Sequence, residues 1–454
     1  RDYVHKVFME IVNNYDIDGI LMDDYFYAYG GTNSEDADSR SKHLYKVTDA
    51  DKDNSYIDDW RRANVDSVVH RLYRDLQKTK PWVRFGMGIP GNWSNKANAA
   101  SYYGISLPGT TAMESYDYLY CNAIEWAKQG WVDYLNPQVY WSTTAKKGDY
   151  DILTPWWAKK VCEHFSNKLP NGQKVHFFAS QGACYVYKPE GMSGYYYGDV
   201  SEIQRQIDVN RANLSSGYTG SVFFSTSDVL LMRHELRESH FQYKALPPAM
   251  SWKSKTKLAA PTNIQVKDTV LSWEHPEAER FTIYVYPRGN SGSTTASETT
   301  SPEYLKRVVY GNSCRMDGWG DMSTQTIAIY AYDRYGVEHE AAYYEGNEVY
   351  EPKVEIFWEL DGGTVDVDLP TYVTERYVLP IPVKYGYNFD CWRNVKINRG
   401  QKFTEIQAGW KGTLYAFWKQ WPTDVTNIIW NEQIQVYDIM GRFVGNELPS
   451  NQHG

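Results

Sequence analysis

The sequence is short of several features that mark large protein classes, and each shortage excludes something. No apolar run reaches the ~18 residues that cross a bilayer as a helix. Basic residues are outnumbered, 47 Lys and Arg against 56 Asp and Glu, for a formal net charge of −9. That sign does not suit a phosphate-rich partner, so no nucleic acid is expected. No glycine-rich phosphate loop follows any predicted strand, which counts against a nucleotide-binding sheet. Cysteine is sparse and odd in number: Cys121, Cys162, Cys184, Cys314 and Cys391, none at metal or redox spacing. Such a scattered set reads as buried free thiols rather than a disulfide framework. The ten His show no zinc spacing. Asp49, Asp51 and Asp53 open like a calcium loop, but Asn54 and Trp60 stand where Gly and Glu would be needed. A solvated loop is expected there, with no metal and no cofactor. The chain starts at Arg1 and carries no signal peptide, so a mature form or a fragment is expected.

What the chain has in quantity is aromatic surface: 16% of residues, with 39 Tyr and 17 Trp. Tyr and Trp pair a flat apolar face with a polar edge, which suits binding to extended polar polymers. In residues 2–14, Val4, Val7, Phe8, Ile11 and Val12 mark one face of an amphipathic helix. A strand at about 17–22 follows, then a polar loop over 30–56 and a helix from Trp60 that Pro81 stops. Strands are then predicted at "WVRFGMGIP", "WVDYLNPQVYW", "VHFFAS" and "SVFFST". Between and after them, "TPWWAKKVCEHF", "EIQRQIDVNRANL" and "LLMRHELRESHF" read as helices, with a short one near 122–130. A long Gly- and Ser-containing loop is expected after the second strand.

Alternation of strand and helix, with long loops after the strands, predicts parallel βα units, in either a barrel or an open doubly wound sheet. The fold class is therefore α/β. Five strands are visible where a (β/α)₈ TIM barrel needs eight, and the chain opens inside a helix. The expectation is the C-terminal five βα units of such a barrel over 1–248, the first three units being absent. Residues 245–260 have linker composition. Alternating patterns then predict small all-β modules: a β-sandwich over 259–350, a further β unit over 351–419, and a tail over 420–454.

The segments "VNNYDIDGILMDDYFY" and "WVDYLNPQVYW" together resemble the glycosyl hydrolase-like family 10 proteins, bacterial extracytoplasmic (β/α)₈ glycosidases. The sequence departs from that pattern at Leu21, where the family usually has His, and at Ala28, where Pro is common. "APTNIQV", Trp273, "FTIYVY" and "AYDRYG" resemble a fibronectin type III module. "ELDGGTV", "GYNFDCW" and "GTLYAFW" resemble the Listeria–Bacteroides repeat, and "VYDIMGRFV" the start of a C-terminal sorting domain. The resemblance implies a glycan substrate, polysaccharide or peptidoglycan, an extracytoplasmic location and no membrane span. A monomer is expected.

Barrels carry function at the C-terminal ends of their strands. Period-two alternation puts Gly19, Leu21 and Asp23 on one face of the first strand. Glycoside hydrolysis commonly uses two carboxylates, one protonated and one ionised. Asp23 and Asp24 are adjacent, and like charges push one carboxyl toward the protonated form. Asp23 and Asp24 are the catalytic candidates, Asp23 as a catalytic group or a sugar-hydroxyl ligand and Asp24 as the residue that caps or orients, with Tyr25 and Tyr27 as sugar-stacking surface. In "NPQVYW", Asn136, Gln138 and Tyr140 share one face, and their amide and hydroxyl groups suit sugar hydroxyls. Trp141 and the loop residue Trp93 are further stacking candidates. No other strand end is acidic. Glu114 and Asp117 lie in a loop that could swing in; otherwise the partner carboxylate is expected in the absent units, and this chain alone is expected to be inactive. The competing expectation is a catalytically silent carbohydrate-binding or cell-surface protein on the same scaffold.

Overall fold

The computed structural model describes residues 2–23, 26–27, 54–145, 148–186, 197–288, 300–316, 318–320, 322–345, 356–367, 369–373, 375–384, 387–397, 401–420, 436–437 and 443–445. They fall into two compact units, Arg1–Tyr350 and Glu351–Gly454.

The first unit begins with α1 (Asp2–Asn14), which buries Phe8 and Val12, one helical turn apart. β1 (Gly19–Met22) follows, then α2 (Asn54–Thr79). Val65, Val69, Leu72 and Leu76 form the buried stripe of α2. β2 (Arg84–Pro90), α3 (Ala97–Tyr103), α4 (Ala123–Gln129) and β3 (Tyr134–Gln138) come next. α5 (Tyr150–Trp156) runs on through a π-helical turn at Trp157–Glu163. β4 (His176–Gln181), α6 (Val200–Arg211), β5 (Tyr218–Phe223) and α7 (Thr226–Ser239) complete the series. Helix starts are capped as the residue types require: Asp149 accepts from Asp151 N, and Asp199 from Ser201 N.

The strands form one parallel sheet in the order β1-β2-β3-β4-β5. Sequential order with helical crossovers makes this mixed α/β, as the alternating pattern predicts. One face of the sheet carries Phe85, Met87, Ile89, Leu135, Phe177 and Ala179 into the main core, against the helices. The other face is built around glycine. A side chain at Gly86 would overlap the Tyr134 ring, and one at Gly220 would press on Phe178. The bulky residues of β3 and β4 thus lie over the bare positions of their neighbours.

Two local expectations are corrected. The segment after β2 is not all loop, because α3 buries Ala99, Ala100 and Tyr103 and ends at Gly104 in the left-handed region. The helix expected from Trp60 begins at Asn54. Among the described residues, no helix is long and apolar enough to cross a membrane.

The connector over 245–260 and a pair of antiparallel sheets beyond it belong to the same unit. β6 (Thr262–Lys267), β7 (Val270–Glu274) and β10 (Ser313–Arg315) form one antiparallel sheet. β8 (Arg280–Pro287), β9 (Leu305–Tyr310), β11 (Gln325–Tyr332) and β12 (Glu338–Glu345) form the other. Trp273, Phe281, Ile283, Ile327 and Ile329 fill the space between them. Arg280 donates to Asp18 at 3.1 Å, Met250 N to Tyr335 O at 2.8 Å, and Arg84 to Pro248 O. These bonds tie the connector and this pair of sheets to the N-terminal ends of the parallel strands.

In the second unit, β13 (Ile356–Glu359), β16 (Gly412–Gln420), β14 (Tyr387–Arg393) and β15 (Lys402–Phe403) form a sheet over Ile356, Leu379, Trp392, Ile406 and Leu414. The buried indole of Trp392 and the half-buried indole of Trp358 donate to carbonyls, Pro380 O and Pro370 O. Most of the tail over 420–454 lies outside the described residues.

Candidate functional site

β1 ends at Met22, and Asp23 is the next residue. In the β1–β2 register Leu21 faces Gly86 and Met22 faces Met87, so Asp23 comes level with Gly88. Gly88 in turn pairs with Asn136 of β3. A Cβ at Gly88 would lie 2.1 Å from Asp23 Oδ1. Because that position is empty, the carboxylate lies across β2 and reaches β3. There Gln138 Nε2 donates to Asp23 Oδ1 at 2.8 Å. The exposed carboxylate and the half-buried amide lie at the C-terminal end of the sheet.

Tyr140 stands beside them. Ser180 Oγ donates to its hydroxyl at 3.3 Å, and its ring stacks on Phe224 with centroids 5.9 Å apart. Burial pushes the Tyr140 hydroxyl up to about 12, and the Asp23 charge adds to the rise. The phenol is therefore a proton-bearing donor at neutral pH. Trp141 is wedged: a Cβ at Gly91 would meet its ring at 2.9 Å, and one at Gly148 at 2.4 Å. The loop that follows is held by the buried Glu202, which accepts from Thr143 N at 2.7 Å and Thr143 Oγ1 at 3.0 Å. Gln206 Nε2 and Tyr197 OH both donate to Trp141 O. The β3 end of the site is thus fixed by polar residues of α6 and the segment before it.

The other candidates are distributed differently. Asn136 is buried, and its Nδ2 donates to Phe178 O at 2.8 Å, tying β3 to β4. Trp93 has no exposed surface and packs among Tyr103, Tyr116 and Trp156. This corrects its reading as a loop platform: the segment after β2 folds over the indole and makes it core. Tyr27 packs edge-on against Tyr120 at 5.0 Å. Asp24 and Tyr25 lie outside the described residues.

Of the two loop carboxylates, Asp117 is paired with Arg62 at 2.8 Å and Lys96 at 2.6 Å. Glu114 is bridged to Asn92 just beyond β2. Burial, with Asp117 nearby, pushes its carboxyl up to about 7. Gly88 and Phe224 are the site positions whose roles the sequence did not disclose. The alternation in "FGMGIP" was the available signal for Gly88. No group of three or more His, Cys, Asp or Glu among the described residues is arranged to hold a metal ion.

Residues 1–178 match the family model described as Glycosyl hydrolase-like 10. A Bacillus subtilis (strain 168) protein named Glycosyl hydrolase YngK is 32% identical over 300 residues, 63% of this chain and 54% of that protein. The Escherichia coli (strain K12) protein named Glycosyl hydrolase DigH is 30% identical over 215 residues, 47% of this chain and 44% of that one. The chain spans about half the length of the curated relatives it matches. The crystal structure of bee venom hyaluronidase aligns at 12% identity and a TM-score of 0.32, covering 52% of this chain and 75% of that one, too loosely to argue from. The family match and the named relatives support a glycosidase-type function.

Proposed function

We propose that this chain carries the Asp23 side of a glycoside hydrolase site acting on a bacterial cell-wall or related polysaccharide. The observation that carries the reading is the meeting of Asp23 and Gln138 over Gly88, at the strand ends where barrel enzymes keep their chemistry. The parallel order β1-β2-β3-β4-β5 is that of a barrel wall, and the sheet is read as five of eight strands of a (β/α)₈ barrel. The proposed setting is extracytoplasmic.

In this reading Asp23 works on the glycosidic bond, as the acid or as the nucleophile. Gln138 holds the carboxylate in one orientation. Tyr140 donates to a sugar hydroxyl, and the half-buried ring of Trp141 lies along the binding cleft. The test is Asp23→Asn in the full-length protein. It keeps the shape of the side chain and removes proton transfer, so turnover on isolated glycan should fall at least ~10²-fold at an unchanged melting temperature. Wild-type turnover in that variant would sink the assignment.

One observation favours a second reading, a catalytically silent glycan-binding platform. The described C-terminal ends of β2 to β5 are Pro90, Gln138, Gln181 and Phe223, none of them acidic. Under that reading Asp23→Asn lowers glycan affinity, and the wild-type protein hydrolyses nothing.

A further inference from the structure

The first unit has a cavity of about 770 Å³ far from Asp23. That volume is within the ~300–1,000 Å³ of small-ligand pockets. Tyr73 and Gln77 come from the last turns of α2, Trp252, Lys253 and Lys255 from the connector, and Tyr335 from the β11–β12 turn. The cavity therefore lies at the end of the sheet where β2 begins. β2 has seven residues, so roughly 20 Å of strand separates it from the Asp23 end.

The chemistry of the wall is one-sided. The chain has 56 acidic residues and a net charge of −9, yet the described residues lining this cavity include no carboxylate and two lysines. Lys253 is buried and committed below the wall, its Nζ 2.6 Å from Asp133 Oδ1. Lys255 is exposed and makes no ion pair among the described residues. Two lining residues also carry buried donors, Gln77 Nε2 and Trp252 Nε1, that have no hydrogen-bond partner among the described residues. Three aromatic rings and the amides of Asn171 and Gln173 complete the wall. Rings take the C–H faces of a pyranose, amides take its hydroxyls, and an ammonium takes a carboxylate.

We infer that this cavity is a second saccharide site, selective for a sugar ring that carries a carboxylate. The site is composite. Without the connector and Tyr335 it loses its cations and two of its rings, which gives the β-sandwich a binding role beside its packing role. The bonds from Met250 to Tyr335 and from Ser254 Oγ to Asp333 Oδ2, 2.8 and 2.6 Å, hold the two walls together. A glycan held here would be retained on the protein without occupying the Asp23 cleft. The inference takes only the ligand class, a glycan, from the function proposed above.

Calorimetric titration of the full chain tests it with four probes: a glucuronic acid oligosaccharide, N-acetylmuramic acid, a neutral N-acetylglucosamine oligosaccharide, and acetate. Saturable binding of either sugar acid is expected, at least ~10-fold tighter than the neutral sugar or acetate. Whichever acid binds more tightly names the source of the carboxylate, a uronic acid or a lactyl ether. Lys255→Glu and Tyr335→Ala should each weaken sugar-acid binding ~10-fold or more, the first at an unchanged melting temperature because Lys255 is exposed. Asp23→Asn should leave this binding untouched, which separates failure here from failure of the catalytic assignment. Three results would overturn the inference: no saturable sugar-acid binding, equal affinity for acetate or the neutral sugar, or indifference to Lys255→Glu.

Discussion

Gln138 donates to Asp23 Oδ1 at 2.8 Å although 115 residues separate the two. Neither side chain could make this contact within its own strand. The bond needs parallel neighbours β1, β2 and β3 in register, and a bare backbone at Gly88 between them. The bond restrains the carboxylate, because an exposed Asp is otherwise free to rotate.

Gln138→Leu removes the donor and keeps much of the volume. If the amide orients Asp23, kcat on isolated glycan should fall about 10-fold with KM little changed, since the lost interaction positions a group rather than binding substrate. An unchanged kcat would show that Asp23 needs no help from β3.

Gly88→Ala is a sharper test of the same geometry. The new methyl would lie 2.1 Å from Asp23 Oδ1 and 3.3 Å from Asp23 Cα, so the carboxylate must move. Loss of turnover should approach that of Asp23→Asn, on the order of 10²-fold, because displacement by about 1 Å has that cost at a reacting group. The melting temperature should fall by no more than a few degrees, since Asp23 is exposed and can swing outward. Wild-type kinetics would mean that the carboxylate works from another position.

Tyr140→Phe deletes one hydroxyl and leaves the stacking on Phe224. KM should rise several-fold with kcat nearly constant, the pattern of an interaction equal in ground and transition states. A drop in kcat at constant KM would instead assign the Tyr140 proton to the reaction.

Trp93→Ala should behave as a core mutation. The indole is fully buried among three other rings, and large-to-small changes at such sites cost about 3–5 kcal/mol. Denaturant melts should show that loss, while glycan affinity per folded molecule stays the same.

The fate of Trp93 shows where sequence reading reaches its limit. Period and breakers place the strands well: "WVRFGMGIP" contains β2, and Pro81 follows the end of α2. Alternation also puts Asp23 on the same face as Leu21. But Gly88 looks like a weak strand residue until Asp23 is seen to occupy its space. Asn136 shares a face with Gln138 as predicted, yet its amide is engaged by Phe178 O of the next strand. Trp93 lies in a segment with loop composition, and only the tertiary packing of Tyr103, Tyr116 and Trp156 buries it. In each case the deciding neighbour is distant in sequence, and local pattern carries no trace of it.

Burial of Glu114 raises a prediction about pH. Its carboxyl is pushed from an ordinary 4.5 up to about 7 by desolvation and by Asp117. The folded chain then holds this proton over a range where the unfolded chain has lost it. Stability attributable to Glu114 is intact below pH ~4.5, declines as pH rises toward 7, and is flat above that. Glu114→Gln keeps an oxygen to accept from Asp117 N, which lies 3.3 Å from Glu114 Oε2, and cannot ionise. The variant should match wild type at pH 4 and exceed it at pH 8 by about 1–2 kcal/mol, the full shift being discounted because the group is partly exposed. Chemical denaturation at pH 4, 6 and 8 measures the gap. A gap that shrinks as pH rises would reverse the sign and show that Glu114 is stabilised as an anion, by Lys96 or by the backbone donors of Tyr116 and Asp117.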